Sequence, residues 1–169
     1  ADWAVVQEVE ETPGIVYKPL FSYEMVGLCA KDHPLAAKEV WQAEDFIDQT
    51  LITYPVPDDM LDLLRKVLHP KGINPTRRTS ELTIAIIQLV ASKRGVAALP
   101  FWAAKPYLDR GYIVARKITE QGLHSNLYAA TRELDSQMAF VDDFYETVKA
   151  QSFSTLPELS ILEEISLYV

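Results

Sequence analysis

The stretch 79–102 constrains the fold of this chain more than any other part of the sequence. Apolar residues recur there at helical spacing, at Leu82, Ile86, Leu89 and Val90. Ser80 and Thr83 are candidate N-caps of the predicted helix, and Glu81 places an acid near the positive end of its dipole. Gly95 is where a helix of about three turns is predicted to stop. The stretch therefore predicts one amphipathic helix.

A buried strand is predicted immediately after this helix, because residues 96–99 are continuously apolar and Pro100 follows them. The segment upstream completes the pattern with a short β-prone run at 51–54, a helix over about 60–69 and a more polar strand, Thr76–Thr79. The order β-α-β-α-β predicts a parallel sheet.

Ligands of open parallel sheets bind beyond the carboxyl ends of the strands, where helix N-termini present unpaired N–H groups. In this chain those places are 53–55, 80–83 and 99–101, and we expect them to lie side by side. Ordinary helix capping explains Ser80, Glu81 and Thr83 equally well. Tyr54 and Phe101 are either core residues or walls of a pocket, and the sequence leaves both open.

The charge of the chain argues against direct binding to nucleic acid. Its formal net charge is −8, and phosphate contacts need clustered lysine and arginine. The densest basic cluster, Arg77 with Arg78, is too small for that role. No apolar run approaches the length of a transmembrane helix, and no signal peptide opens the chain, so we expect a cytoplasmic protein without a membrane contact.

No catalytic or metal-binding pattern emerges, so the sequence predicts neither an enzyme, nor a cofactor, nor a metal site. The three histidines, His33, His69 and His124, are far apart. His33 precedes Pro34 in a turn, where a structural role is favoured. Cys29 is the one cysteine; it lies in an apolar strand, so we expect it to be buried and inert in a reducing compartment.

The remaining sequence predicts two lobes around a cleft that suits a small ligand. Lobe I comprises 1–36 with 126–151, lobe II is 38–122, and an apolar tail over 152–169 should dock on the domain or a partner. The abrupt start on a strand at 2–6 suggests a fragment of a longer chain. Outside the β-α-β-α-β unit, the other predicted strands are 15–17, 23–30, 112–117 and 126–131, and the predicted helices are 41–46, 103–108 and 136–151.

Three motifs carry a resemblance to a known family: L-C-A-K-D-H-P-L-A at 28–36, W-Q-A-E-D-F through Q-T-L-I-T-Y-P at 41–55, and I-Q-L-V-A-S-K-R-G-V-A-A-L-P-F-W at 87–102. The chain resembles the effector-binding domain of LysR-type transcriptional regulators over nearly its whole length. The resemblance implies an α/β fold of two Rossmann-like lobes, like a type 2 periplasmic binding protein, with the start of the first lobe missing here.

The resemblance also implies a regulator rather than an enzyme. The family binds a small effector, assembles as a homodimer or tetramer, and binds DNA only through an N-terminal helix-turn-helix that is absent from this chain. Finer motifs, including L-Y-A-A-T-R at 127–132, are similar to members that control methionine biosynthesis, which implies homocysteine as the effector. Carried over by position, the effector contacts would be Gln7, Glu8, Thr53, Tyr54, Pro55, Glu81, Leu82, Thr83, Leu99 and Pro100. The alternative is a solute-binding protein for a small amino acid or carboxylate, with the same two-lobed fold.

Overall fold

The computed structural model describes residues 3–7, 9, 10, 12–156 and 158–162. Within these residues the chain folds as a mixed α/β structure. The strands are β1 (Trp3–Val6), β2 (Ile15–Cys29), β3 (Val40–Trp41), β4 (Thr50–Thr53), β5 (Thr76–Thr79), β6 (Ala97–Pro100), β7 (Val114–Ile118) and β8 (Leu123–Arg132). The α-helices are α1 (Thr83–Ala91), α2 (Phe101–Asp109) and α3 (Ala139–Thr155).

The described residues form two compact units, one within 1–23 and 124–169 and the other comprising 24–123. Residues 24–36, which the sequence assigned to lobe I, belong to the second unit. Because β2 runs from one unit into the other, this division does not test the predicted lobe boundaries, which stay a prediction.

In the second unit, the predicted parallel order is confirmed around β4. β5 pairs with β4 in parallel along its whole length, from Thr50 opposite Thr76 to Thr53 opposite Thr79. On the other side of β4, Val96 forms a parallel bridge with Leu51. The Ile52 N–H donates to the Val96 carbonyl at 2.8 Å, and the Val96 N–H donates to the Thr50 carbonyl at 2.9 Å. The three strand ends that were predicted to be neighbours therefore leave the sheet on the same side.

The second unit also contains antiparallel pairs, which the sequence did not predict. β6 pairs antiparallel with β2, placing Leu99 opposite Val26, and β7 also pairs antiparallel with β2, placing Leu28 opposite Ala115. A continuously apolar strand fits either direction, because side chains are buried on both faces in both cases. The direction of β6 depends on its pairing with β2, which lies about seventy residues away in sequence. The local sequence pattern cannot identify such a distant partner.

Both predicted ends of α1 are wrong. Its N-cap position is Leu82, whose side chain makes no capping hydrogen bond, and the helix ends at Ala91. Lys93, not Gly95, adopts the left-handed conformation after the helix, with φ of 58°. Gly95 serves a different purpose: a Cβ there would lie 2.3 Å from the Thr50 carbonyl oxygen. The glycine is needed because two backbones approach closely.

Three further boundaries differ from the sequence prediction. The strands predicted at 15–17 and 23–30 are one strand, β2, of 15 residues. The predicted helix at 41–46 is instead β3, which pairs in parallel with β7, followed by a single 3-10 turn over Ala43–Phe46. The helix predicted over 60–69 is a series of short turns whose central part, Leu63–Leu68, has the wider π geometry.

The predicted turn at His33 is confirmed, and His33 has a structural role in it. His33 is the N-cap of the 3-10 turn Pro34–Ala37, where its Nδ1 accepts a hydrogen bond of 3.0 Å from the Leu35 N–H. Nδ1 is therefore unprotonated, and the proton on Nε2 faces the Gln49 Oε1 atom at 3.1 Å. The ring thus fixes the turn through one defined tautomer.

Two groups of buried side chains form the core of the second unit. One surrounds Trp41 and Phe46, whose rings meet edge to face at 5.7 Å between centroids. The other joins β4 and β6 to the inner face of α1, where Ile86, Ile87 and Val90 are fully buried. The second group fixes α1 against the strand ends that carry the candidate site.

In the first unit, β1 pairs antiparallel with β8, with Trp3 opposite Thr131. The amphipathic helix predicted at 136–151 is present as α3, which buries Val141 and Tyr145. The Tyr145 hydroxyl donates to the Pro19 carbonyl at 2.5 Å. The described part of the tail docks on β2, because Ser22 and Ser160 exchange two backbone hydrogen bonds of 2.9 Å.

Candidate functional site

The candidate site lies in the second unit, where β4, β5 and β6 give way to the segments 53–55, 80–83 and 99–101. The structure brings the first two segments into direct contact. The Ser80 N–H donates to the Thr53 carbonyl at 2.9 Å, and the Tyr54 hydroxyl lies 2.6 Å from the Thr83 Oγ1 atom. Residues that are 29 positions apart in sequence thus form one hydroxyl pair.

This hydroxyl pair stands at the first residue of α1. The first N–H groups of any helix have no partner within the helix, and a side-chain cap ordinarily satisfies one of them. Leu82 occupies the cap position and makes no such bond, so capping by Ser80 or Thr83, the alternative left open by the sequence, is wrong. The end of α1 combines a positive dipole with two hydroxyl groups, which is an arrangement suited to a carboxylate.

Glu81 and Leu82 precede α1 and are both exposed, Leu82 to 64%. A carboxylate at Glu81 can accept hydrogen bonds from a cationic group that approaches the helix end. Leu82 offers an apolar surface at the same place.

The segment that follows β6 is more buried. Leu99 is only 2% exposed and packs in the core beside α1, so any contribution it makes to a ligand has to come from its main chain. Pro100 is half-buried at the N-cap position of α2. Phe101 and Tyr54 are partly buried and pack against the same core, so each ring serves the core while keeping an accessible side.

Three further contacts were predicted, at Pro55, Gln7 and Glu8. Pro55 is exposed in the loop after β4. Gln7 belongs to the first unit, where its amide donates to the Tyr23 hydroxyl at 3.1 Å. Glu8 lies outside the described residues. The roles of all ten predicted contact residues stay predictions.

Arg77, on β5, contacts the candidate site, and the sequence analysis missed it. Its Nε atom donates to the Thr53 Oγ1 atom at 2.8 Å, and its Nη2 atom donates to the carbonyls of Tyr54, at 3.1 Å, and Val56, at 2.6 Å. The Thr53 hydroxyl in turn donates to the Tyr54 carbonyl at 3.0 Å. The only hint in the sequence was an arginine inside a short strand, which the sequence analysis considered only as half of a basic cluster too small for phosphate contacts.

Cys29 is fully buried, which confirms the prediction that it lies in the core. Burial raises the pKa of its thiol to about 11, and the nearby Arg116 guanidinium offsets this only in part. A thiol that stays protonated at neutral pH is a poor nucleophile.

We therefore expect Cys29 in the folded chain to resist alkylation by iodoacetamide at about pH 8, and to react once urea unfolds the protein. Because the pKa of this thiol is about 9.0 in the unfolded chain, the contribution of the buried thiol to stability is fully present below that pH and is lost as the pH rises towards about 11. Urea unfolding across this window should show a steeper loss for the wild type than for Cys29→Ala. Equal slopes, or rapid labelling of the folded chain, would contradict the prediction.

Among the described residues, no three or more histidine, cysteine, aspartate or glutamate side chains are grouped so that they could hold a metal ion. In the same part of the chain, no helix combines the length and the apolar character needed to cross a membrane.

Comparison with known proteins gives consistent results. A family model described as "LysR substrate binding domain" matches residues 1–152. The HTH-type transcriptional regulator MetR of Haemophilus influenzae is 67% identical over 162 residues, which cover 96% of this chain and 52% of that protein. The Escherichia coli K12 protein of the same name is 35% identical over 156 residues, or 92% of this chain and 49% of that protein. The chain thus spans about half the length of the curated relatives it matches.

One solved structure is also closely similar. The regulatory domain of MetR from Neisseria meningitidis, a LysR family regulator, superimposes with a TM-score of 0.92 at 61% sequence identity, covering 96% of this chain and 76% of that one.

Proposed function

The chain belongs to the LysR substrate-binding domain family, and we propose that it is the effector-sensing domain of a MetR-type transcriptional regulator that binds homocysteine. The observation that carries the proposal is the start of α1, where an N-cap position without a capping side chain adjoins the Tyr54 and Thr83 hydroxyls. The alternative of a solute-binding protein finds no support among relatives that are HTH-type regulators.

The chemistry of an amino acid matches the groups at this helix end. An α-carboxylate is suited to the N–H groups of α1 and to the hydroxyls of Tyr54 and Thr83. An ammonium group is suited to the exposed carboxylate of Glu81. The remaining side chain, a short apolar stem ending in a thiol, is suited to the accessible sides of Tyr54 and Phe101. The contributions predicted for Gln7 and Glu8 remain part of this proposal.

Regulation would follow from a shift between conformations. An effector changes the equilibrium of its protein only by binding one arrangement more tightly than another. In a dimer or tetramer, such a shift would change the spacing of DNA-binding heads that lie outside this chain. The domain itself, with a net charge of −8, would leave contact with DNA to those heads, acting in the cytoplasm on methionine-biosynthesis genes.

The test is a calorimetric titration with homocysteine, with methionine and cysteine as controls. It should be run on this chain and on a form built to the length of the curated relatives. Selective binding of homocysteine by either form would support the proposal. Absence of binding by both would leave the family assignment intact and remove homocysteine as the effector.

Two variants locate the site. Glu81→Ala should weaken binding of homocysteine by about tenfold, since a charge-assisted hydrogen bond is lost, while the urea midpoint stays unchanged because Glu81 is exposed. Glu39→Ala, which removes another exposed carboxylate of the same unit, is the matched control and should bind as the wild type does. A large loss of stability with unchanged affinity for Glu81→Ala would return this residue to a structural role.

A further inference from the structure

The guanidinium of Arg77 holds the loop that leads from β4 into the candidate site. All three of its nitrogens are engaged. Nε bonds to Thr53, Nη2 bonds to the carbonyls of Tyr54 and Val56, and Nη1 forms an ion pair with Asp58. One side chain on β5 therefore reaches four residues within the segment 53–58.

The hydroxyl and the two carbonyls that accept from Arg77 contribute more to holding the loop than the ion pair does. The carboxylate of Asp58 is 52% exposed, whereas the Arg77 side chain is only 23% exposed. Ion pairs with an exposed partner contribute little free energy because water screens them. The hydroxyl and the two carbonyls, by contrast, are fixed by the planar fork of the guanidinium, whose donors point in set directions.

The connection continues from this loop to α1. Arg77 fixes the main chain of Tyr54 at its carbonyl, which also accepts a hydrogen bond of 2.9 Å from the Val56 N–H. The side chain of the same tyrosine ends in the hydroxyl that lies 2.6 Å from Thr83. A displacement of the Tyr54 main chain would therefore move the hydroxyl away from the end of α1.

We propose that Arg77 is a positioning residue of the effector site, which sets the affinity for an amino-acid carboxylate by holding Tyr54 in place without touching the ligand. This inference rests on the proposed function of the same site. If Arg77 only stabilised the loop, its replacement would change the stability of the fold and leave the affinity for the ligand unchanged. A positioning residue changes the dissociation constant of the folded molecules.

The experiment compares Arg77→Gln and Arg77→Lys with Arg78→Gln in the protein at the length of the curated relatives. Arg78 is the neighbouring residue on β5 and is exposed, so its replacement makes the same change of charge without touching the loop. Calorimetry with homocysteine gives the dissociation constant and the binding stoichiometry separately. We expect Arg77→Gln to weaken binding about tenfold and Arg78→Gln less than about twofold, because only Arg77 is bonded to the loop.

Arg77→Lys keeps the positive charge and loses the planar guanidinium with its fixed donors. The affinity of this variant for homocysteine should therefore fall between those of the wild type and Arg77→Gln. In a Tyr54→Phe background, the effect of Arg77→Gln on affinity should largely disappear, because the hydroxyl that Arg77 positions is gone. A lower stoichiometry or urea midpoint with an unchanged dissociation constant would overturn the inference. The inference would also be overturned if the effects of Arg77→Gln and Tyr54→Phe on affinity were additive in the double variant.

A readout without ligand separates this inference from the proposed function. With 3-fluorotyrosine incorporated, the resonance assigned to Tyr54 by its absence in Tyr54→Phe should shift in Arg77→Gln and stay in place in Arg78→Gln. If the wild type binds no homocysteine, the proposed function fails, and the effector role of Arg77 fails with it even where the resonance shifts. If the wild type binds but neither affinity nor resonance responds to Arg77→Gln, only the positioning role is overturned.

Discussion

Replacing Trp41 with alanine should lower the free energy of unfolding by about 4 kcal/mol, since truncating a buried tryptophan removes apolar contacts and leaves a cavity. The ring is fully buried and meets Phe46 edge to face. Its Nε1 atom donates a hydrogen bond of 2.9 Å to the Leu35 carbonyl. The alanine variant would leave this carbonyl without that donor, which adds to the cost. Urea unfolding followed by circular dichroism measures the change.

Two companion variants test where this loss comes from. Trp41→Phe keeps much of the buried ring and removes the hydrogen bond, so it should cost less than Trp41→Ala. Trp102→Ala removes a tryptophan that is 37% exposed and should cost less still. A loss below about 1 kcal/mol for Trp41→Ala would contradict its place in the core, because losses of that size are typical of surface sites.

Gly27 offers an independent check on the same ring. A Cβ at Gly27 would lie 2.4 Å from the Trp41 Cε3 atom, so the indole packs directly on the backbone of β2. Gly27→Ala should therefore destabilise the fold, and its effect should not add to that of Trp41→Ala, because the alanine at 41 removes the clashing atoms.

Replacing Gly95 with alanine should lower the free energy of unfolding by about 3 kcal/mol, at the upper end of the usual cost of overpacking. The new Cβ would lie 2.3 Å from the Thr50 carbonyl oxygen and 3.1 Å from the Ile52 side chain. The same oxygen accepts the hydrogen bond from the Val96 N–H at 2.9 Å. The backbone cannot move aside without losing the pairing between β4 and Val96, so strain and lost pairing arise together.

Gly72→Ala is the matched control for Gly95→Ala. Gly72 has a φ of 70° and no heavy atom within 4 Å of an added Cβ, so alanine there meets conformational strain alone, a cost of about 1 kcal/mol. Urea midpoints of the two variants, measured side by side, should differ clearly. Equal losses would show that close approach at Gly95 is not what restricts that position.

The sequence by itself determined the elements whose signals are local. The amphipathic pattern placed α1 and α3, and the alternation of short apolar runs with helical ones gave the parallel order of β4, β5 and Val96. Periodicity within one element needs no knowledge of its partner. The same order correctly brought 53–55 beside 80–83, since parallel strands end at the same edge.

The sequence alone was also sufficient to predict the family, because each of the motifs at 28–36, 41–55 and 87–102 is an unbroken stretch of sequence. The family model and the MetR relatives confirm it. His33 shows why one of these motifs has its form: the residue before Pro34 caps a 3-10 turn through its own ring. Here a local sequence signal and its local structural cause coincide.

Tertiary structure alone decided features that depend on distant partners. The pairing of β6 with β2 made the sheet mixed, and the approach of Thr50 gave Gly95 its role in place of helix termination. The four contacts of Arg77 could not be predicted from the sequence, in which Arg77 and its neighbour Arg78 look alike. Hydrogen-bond partners and backbone clearances are set by three-dimensional distance, and local composition does not encode that distance.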